Sequence, residues 1–431
     1  MERCKILDHG VREVFSTKGP GHHFFGYYDK SPFDASGRRL LSLRVGFNDR
    51  LPDADDRAEI GYWETDSGKF VSLSDTRAFN WQQGCMLQWL GPTFDRYIIF
   101  NDRQDDKFVS VIVDTITGEK NLIPSAIYAV HPNGHLAVTV DFERHYFPRR
   151  AYAYPGIIKE DKNTNLVDGD GIWLVDLKRK TTKSIISVHE MYNQNHLDSM
   201  EGGANYLEHL LFNPSGTRFL FLHRWILEDG GIYSRVYTAD TYGHKIRCLL
   251  DSGKATHYCW HGDTHILVWG SPPSYIASIR KHRWVVKFMS RLLLPLYHRI
   301  VDADSRIARH IVGTSYLHIR DSDHAELDRF AQNILSADGH PTWNPKHSDW
   351  LVADTYQDEN NYQALYLFNA RRHKKIDVGR FFIPESHCSS PIRCDLHPRW
   401  DRSGRYICID SLHTGMRQMH VFDVRECINR C

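Results

Sequence analysis

Two short sequence patterns alternate along the whole chain, and each occurs seven times. The first pattern is an aromatic or apolar residue, a polar turn and an apolar strand; its copies are PFDASGRRLLSL, WLGPTFDRYIIF, VHPNGHLAVTV, FNPSGTRFLFL, WHGDTHILVW, WNPKHSDWLVA and WDRSGRYICI. The second pattern is an apolar strand that ends in Asp, Asn or Glu, followed by a short polar turn and another strand, as in VIVDTITGEKNLI. Each pair of copies supplies two hairpin turns and therefore one four-stranded antiparallel meander.

Seven such meanders predict an all-β chain folded as a seven-bladed β-propeller. One blade cannot bury both of its faces, whereas blades packed around an axis can. We therefore expect a single domain over residues 1–431, where average domains would number two or three. An irregular pair of β-sandwiches is the alternative fold.

Residues 274–312 are predicted to be a helical insertion within the propeller. The segment SIRKHRWVVKFMSRLLLPLYHRI mixes basic and apolar residues at near-helical spacing, which indicates an amphipathic helix broken at Pro295. Over residues 278–300 such a basic helix suits contact with a membrane surface or a partner protein. Capping one face of the propeller is the alternative role.

Composition narrows the classes of partner and the cellular location. The formal net charge of +1 gives no general field for nucleic acid, so we expect no nucleic-acid partner. The nine cysteines include no CxxC pair, which argues against a zinc ribbon and favours reduced thiols. The first twenty residues lack an apolar h-region, and no apolar run approaches the roughly 20 residues of a membrane span. These features predict a cytoplasmic protein.

Histidines recur at one register of the first pattern. The first strand of a blade lines the central channel, so we expect the residues three places before the aromatic or apolar residue that precedes the turn in each first-pattern copy to converge. They are Lys30, Met86, Ile127, His209, His257, His340 and His397. Four imidazoles at one register indicate a functional cluster, because each buried imidazole needs a hydrogen-bond partner. With Asp395 they suit a divalent metal ion such as Mn, Zn or Ca. The register leaves open a metal-free set of bases and hydrogen-bond donors.

Other motifs place groups that suit an anionic sugar. FLFLHRW on the second strand of blade 4 brings His223, Arg224 and Trp225 together, where Arg suits a carboxylate and Trp suits stacking on a sugar ring. GHHFFGYYD in blade 1 and WQQGCMLQW with FNDR in blade 2 supply further polar groups. The predicted substrate-binding residues are His22, His23, Tyr28, Gln83, Asn101, Arg103 and Trp225.

The motifs GHHFFGYYD, WQQGCMLQW, FLFLHRW, THYCW, GHPTW and CDLHPRWDRSGRYICIDSLHTG resemble, in blade order, those of the β-propeller polysaccharide lyases. The resemblance is chiefly to ulvan lyases and more distantly to oligogalacturonate lyase. It implies β-elimination on a uronic-acid-containing glycan, with a divalent metal in some members. It also implies that His257 and His397 bind metal and that His223 with Arg224 lies in the segment of the catalytic histidine. Asp395 stands where the oligogalacturonate pattern has another histidine.

Elimination requires a neutralised carboxylate, a base for the α-proton and an acid for the leaving oxygen. The predicted metal ligands, which would neutralise the carboxylate of a uronate-containing oligosaccharide, are His257, His340, His397 and Asp395. The predicted catalytic residues are His209 or His223 as base, Arg224 as an alternative partner of the carboxylate, and Tyr146 or another channel tyrosine as acid.

Two other functions compete with the lyase. The first is a non-catalytic carbohydrate- or protein-binding propeller, since this fold often serves as a scaffold. The second is a glycoside hydrolase, which needs two carboxylates about 5 to 10 Å apart. Because the axial register is rich in His and poor in Asp and Glu, hydrolysis ranks below elimination. A serine hydrolase is not indicated, because the sequence has no GxSxG motif.

Overall fold

The computed structural model of the protein describes residues 3–7, 10–228, 230–273 and 313–430. The predicted insertion at 274–312, including the basic helix at 278–300, lies outside the described residues. The chain divides into two compact units, which we describe separately. Unit 1 comprises Met1–Glu160, Leu174–Lys183 and Gly339–Cys431, and unit 2 comprises Asp161–Trp173 and Ser184–Asp338.

Within the described ranges the strands form seven antiparallel sheets, six of four strands and one of five, which confirms the predicted seven-bladed β-propeller. Two N-terminal strands, β1 (Cys4–Ile6) and β2 (Arg12–Ser16), precede the first blade. Blade 1 consists of β3 (His22–Phe24), β4 (Arg39–Val45), β5 (Ala58–Glu64) and β6 (Lys69–Thr76). Blade 2 consists of β7 (Gln88–Trp89), β8 (Tyr97–Gln104), β9 (Lys107–Asp114) and β10 (Lys120–Ile123).

The remaining blades follow in chain order. Blade 3 consists of β11 (Ala129–Val130), β12 (Leu136–Val140), β13 (Gly171–Asp176) and β14 (Thr181–Ser187). Blade 4 consists of β15 (Ala204–Phe212), β16 (Arg218–Ile226), β17 (Ile232–Asp240) and β18 (Arg247–Gly253). Blade 5 consists of β19 (Ala255–His261), β20 (His265–Gly270), β21 (Ser315–Arg320) and β22 (Leu327–Arg329).

The last two blades belong to unit 1 and include the N-terminal strands. Blade 6 consists of β23 (Thr342–Trp343), β24 (Trp350–Asp354), β25 (Tyr362–Asn369), β26 (Lys374–Phe382) and then β1. Blade 7 consists of β27 (Arg399–Trp400), β28 (Tyr406–Ser411), β29 (Gln418–Asp423) and then β2. In blade 7, Arg12 lies opposite Asp423 and Ser16 opposite His420, so strands from distant parts of the sequence complete one sheet.

Short helices lie between the strands. Among the described residues, the α-helices are α1 (Phe142–His145), α2 (Val188–Asn193) and α3 (Arg425–Arg430). The 3₁₀ turns are Arg150–Tyr152, Glu160–Lys162, Asp198–Met200 and Glu385–His387. Asp141 caps α1, because its carboxylate accepts hydrogen bonds from the backbone N–H groups of Glu143 and Arg144. In the described parts of the chain, no helix combines the length and apolarity needed to cross a membrane.

Middle strands of blades 4 and 6 are buried along nearly their whole length. Every residue of β24 is buried, and β16 is buried except at its two ends. A sheet that packs on both sides has no solvent-facing side, so its strands show continuous apolar runs such as FLFL and WLVA. Packing on both faces therefore explains why the first sequence pattern ends in a continuous apolar run.

Candidate active site

Three of the four predicted metal ligands lie together in unit 1. One nitrogen each of His340 and His397 and one oxygen of Asp395 lie within 4.8 Å of one another, and all three residues are buried. The two imidazole rings are perpendicular, with 4.3 Å between their centroids. Within the described part of the chain, this is the one cluster of at least three His, Cys, Asp or Glu residues whose side chains could together hold a metal ion.

The two histidines occupy the predicted register because each precedes a short innermost strand. His340 lies two residues before β23, and His397 lies two residues before β27. The backbone of His397 is left-handed, with φ 45°, a conformation that a residue with a Cβ rarely adopts. The same register has φ 56° at both Met86 and His209. A left-handed backbone therefore recurs at three of the seven register positions, Met86, His209 and His397.

Asp354 holds His340 in one orientation. Its carboxylate oxygens lie 2.9 and 3.0 Å from His340 Nδ1, and Oδ1 also accepts the His340 backbone N–H at 2.7 Å. Its other oxygen accepts the backbone N–H of His397 at 3.0 Å. Because an ionised carboxylate only accepts hydrogen bonds, it places the imidazole proton of His340 on Nδ1 and leaves the lone pair on Nε2.

His397 is held in the same tautomer by a backbone carbonyl. Its Nδ1 donates to Gly26 O at 2.8 Å. Burial, followed by the neighbouring His340 and Arg399, lowers the pKa of His397 well below its usual value, so the imidazole is neutral. Neutral imidazole with a lone pair on Nε2 is the form that binds metal ions.

Two atoms of the cluster are buried without a hydrogen-bond partner in the described residues. They are His397 Nε2 and Asp395 Oδ1. Buried polar atoms are nearly always paired, so each unpaired atom requires an explanation, such as a bound ion. Two imidazole nitrogens and a carboxylate oxygen form a donor set that suits Mn²⁺ or Zn²⁺. The residues therefore fit a divalent cation.

Aromatic rings surround the cluster. The Tyr27 ring lies 5.1 Å from His397, and the Tyr28 and Tyr356 rings lie 5.1 and 5.7 Å from His340. Burial, followed by neighbouring tyrosines, raises the pKa of Tyr27 well above its usual value, so its phenol remains protonated. Tyr28 is the predicted substrate-binding residue whose ring packs against these histidines.

The other predicted histidines belong to unit 2. His257, the fourth predicted ligand, has its Nδ1 2.9 Å from Asp338 Oδ1, and the other Asp338 oxygen accepts from Thr256 Oγ1 at 3.0 Å. His209 Nε2 lies 3.6 Å from Glu208 Oε1, and the side chain of His209 is 7% exposed. The metal roles of His340, His397 and Asp395 thus have a geometric basis within one unit, whereas His257 forms a pair with a carboxylate in the other.

His223 and Trp225 lie inside blade 4, which corrects their predicted roles. His223 has no exposed surface, its Nε2 lies 3.2 Å from Asn205 Oδ1, and burial lowers its pKa to about 3. Trp225 is also fully buried and stacks on Tyr233 with 5.5 Å between ring centroids. A side chain without exposed surface cannot contact a sugar, so neither a base nor a stacking platform is available here.

Arg224 is engaged on all three of its nitrogens. Nη1 forms an ion pair with Glu208, Nε donates to Ser234 Oγ at 3.0 Å, and Nη2 donates to Ala255 O at 3.2 Å. Its charge is already balanced by a buried carboxylate. This corrects the prediction that Arg224 neutralises a substrate carboxylate.

Three of the six predicted substrate-binding residues of blades 1 and 2 are buried and make hydrogen bonds within the fold. The buried His23 accepts from Trp63 Nε1 at 3.3 Å, and burial lowers its pKa to about 4. Asn101 has no exposed surface and donates to Ile127 O at 2.7 Å. Gln83, 4% exposed, donates to the Tyr128 hydroxyl at 2.7 Å. These contacts correct the predicted sugar-binding role for His23 and Asn101.

The last three predicted residues are partly buried and are held by other contacts. His22 Nδ1 accepts the Arg417 backbone N–H at 3.1 Å. Arg103 Nη1 donates to Pro155 O at 3.1 Å. The guanidinium of Arg150 lies 4.8 Å from the ring centroid of Tyr146, the predicted acid.

Sequence reasoning missed Asp354 and Arg393. Asp354 could have been found by counting along the hairpin: Thr342 pairs with Val352, so the position opposite His340 is residue 354. Arg393 lies outside every strand, in the segment before β27, and its Nε donates to Asp395 at 2.8 Å. No spacing rule identifies such a loop residue.

No protein-family model and no curated protein sequence matches this chain. Solved structures do resemble it. Oligogalacturonate lyase from Vibrio parahaemolyticus has a TM-score of 0.61 at 12% identity and covers 98% of this chain and 97% of its own. An oligogalacturonate lyase in complex with manganese has a TM-score of 0.60 at 13% identity and covers 96% and 97%. At such identity the likeness shows the fold, and this β-propeller matches those of oligogalacturonate lyases over nearly its whole length.

Proposed function

We propose that the protein is a lyase that cleaves a uronic-acid-containing oligosaccharide by β-elimination, with a divalent cation held by His340, His397 and Asp395. The observation that carries this proposal is the buried cluster in which His397 Nε2 and Asp395 Oδ1 lack a hydrogen-bond partner within the described residues. The likeness to oligogalacturonate lyases, one of them in complex with manganese, supports the reaction class and Mn²⁺ as the first ion to test.

The chain prepares this site before any ligand arrives. Asp354 and the Gly26 carbonyl hold both imidazoles in the tautomer with the proton on Nδ1 and the lone pair on Nε2, so binding requires no change of tautomer. A divalent cation bound at this site would neutralise the uronate carboxylate and make the neighbouring proton more acidic. Because the ligand residues are fixed by buried hydrogen bonds, little reorganisation opposes that effect.

Tyrosines supply the proton for the leaving oxygen. The phenols of Tyr27 and Tyr28 lie against the two imidazoles. The ring centroids of the two tyrosines are 4.6 Å apart. Tyrosine hydroxyls carry their protons at neutral pH, so either phenol suits a general acid. We assign protonation of the leaving oxygen to this pair in place of Tyr146.

The test is a search for the unsaturated product of elimination. The purified protein is incubated with galacturonate, glucuronate and mannuronate oligosaccharides, with Mn²⁺ or with chelator, and the ultraviolet absorbance of the new double bond is followed. We expect absorbance that depends on metal and is lost in His397→Ala. The matched control is His244→Ala, because His244 is an exposed histidine with 77% of its side-chain surface accessible.

Three results would contradict the proposal. Sugar binding without new absorbance across the panel would indicate a binding propeller. New reducing ends without absorbance would indicate hydrolysis. Unchanged metal content in both His340→Ala and His397→Ala would remove the ligand assignment.

A further inference from the structure

Arg393 is held rigidly beside the cluster. Its backbone N–H donates to Ser390 O at 3.1 Å, and its carbonyl accepts from Gln82 Nε2 at 3.1 Å and from Arg417 Nη2 at 3.2 Å. These two side-chain hydrogen bonds to its carbonyl hold the backbone of Arg393 in place, and with it the base of the side chain. A positioned side chain of this kind loses little entropy on meeting a ligand.

The guanidinium of Arg393 is used on two of its three nitrogens. Nε donates to Asp395 Oδ2 at 2.8 Å, and Nη2 donates to the Tyr152 hydroxyl at 3.0 Å. Nη1 has no acceptor in the described parts of the chain, and 20% of the side-chain surface is exposed. Arginine therefore presents a free donor edge next to the candidate metal ligands.

With a divalent cation bound, the net charge of the cluster would favour binding of an anion. Arg399 and Asp410 form a buried ion pair with both contacts at 3.0 Å, so they cancel. The formal charges of Arg393, Asp395 and Asp354 add up to minus one. A divalent cation would change this to plus one, which one carboxylate neutralises.

We propose that Arg393 binds the substrate carboxylate through Nη1 and so restricts the site to free uronates, excluding their esters. This inference rests on the proposed lyase function. Guanidinium binds a carboxylate with charge-assisted hydrogen bonds that an ester cannot match. A site built to hydrogen-bond one group of a substrate discriminates against an analogue that lacks this group. Arg393 is then a specificity-determining residue of the candidate site.

The experiment compares acidic and esterified probes by calorimetry on the Mn²⁺-loaded full chain. The probes are the trisaccharides of galacturonate, glucuronate and mannuronate and their methyl esters. We expect Arg393→Gln to weaken binding of the acid by about tenfold or more and to leave the ester unchanged. Arg393→Lys keeps a charge and should retain part of the difference. Arg96→Gln is the matched control, since Arg96 also donates through Nε and Nη2 to one carboxylate, that of Asp114.

The outcomes separate this inference from the proposed function. Acid binding that is equal in wild type and Arg393→Gln would overturn the role of Arg393 and leave the lyase proposal standing. A parallel loss of Mn²⁺ affinity in Arg393→Gln would place the effect on Asp395 and also overturn it. If wild type neither binds nor cleaves any of the probes, the lyase proposal fails and the inference fails with it.

Discussion

Asp354 serves two blades with one carboxylate. It accepts hydrogen bonds from His340 Nδ1 and from the backbone N–H groups of His340 and His397, and it has no exposed surface. An uncompensated buried carboxylate would be costly, so these donors explain how it is tolerated. The same hydrogen bonds define which imidazole nitrogen can face a ligand.

The first prediction concerns this carboxylate. Asp354→Asn replaces one acceptor oxygen by an amide that donates, so one of the N–H groups loses its partner. We expect Mn²⁺ affinity to fall by about 10- to 100-fold, the usual range for residues that orient metal ligands. Calorimetry measures this, and ¹⁵N NMR of the histidines reports the tautomer. Asp114→Asn, a buried carboxylate that ties the turn after β9, is the control. Equal affinity in Asp354→Asn and wild type would contradict the prediction.

The second prediction separates two histidines of unit 2. His209 remains the predicted base, whereas His223 lies inside the sheet. We expect His209→Ala to lower kcat by about 100-fold or more, the usual contribution of a general base. We expect His223→Leu to lower the unfolding temperature and to leave turnover per folded molecule nearly unchanged. Full turnover in His209→Ala would remove the assignment, and lost turnover in a thermally stable His223→Leu would restore His223.

Local signals explain why the blades were predictable from sequence and their polar residues were not. Each hairpin turn and strand is encoded within about ten consecutive residues, so seven sheets follow from counting. The register also predicted that His340 and His397 converge, and their rings lie side by side in the structure. The motif FLFLHRW does not show that His223 and Trp225 are buried, because both faces of β16 are packed inside the blade. Arg393 depends on loop geometry, which no periodicity encodes.

The third prediction concerns β2, the strand that completes blade 7. Glu13 on β2 accepts from Nδ1 of the buried His420 at 2.8 Å. Glu13→Ala would leave this nitrogen without its carboxylate, which typically costs about 1 kcal/mol or more. We expect a lower unfolding temperature by calorimetry. Glu119→Ala is the control at an exposed turn position. An equal melting temperature for Glu13→Ala and Glu119→Ala would show that the pair does not stabilise the closure.

Several buried histidines make the whole molecule sensitive to acid. Burial lowers the pKa of His23 and His413 to about 4 and that of His223 to about 3. The unfolded chain, with ordinary histidine pKa values of about 6.5, therefore binds more protons between those limits. Above about pH 6.5 these histidines are neutral in both states and do not destabilise the fold. As the pH drops from about 6.5 toward 4, protonation of the unfolded chain lowers the free energy of unfolding.

The fourth prediction follows from this linkage. Thermal melts between about pH 7.5 and 4.5 should show a steadily falling unfolding temperature. His413→Gln removes one of the titrating groups and should flatten the curve, although it also changes the contact with Ser411. A melting temperature that stays constant or rises over this interval would contradict the prediction.

The pairing of β2 with β29 sets the order in which the protein can be completed during synthesis. Residues 12–16 leave the ribosome roughly 400 residues before their partners at 420–423. At about 5–20 residues per second, this strand waits about 20–80 s for the rest of its sheet. Blade 7 therefore closes after translation of β29, and until then β2 presents an unpaired edge that chaperones or neighbouring chains can bind.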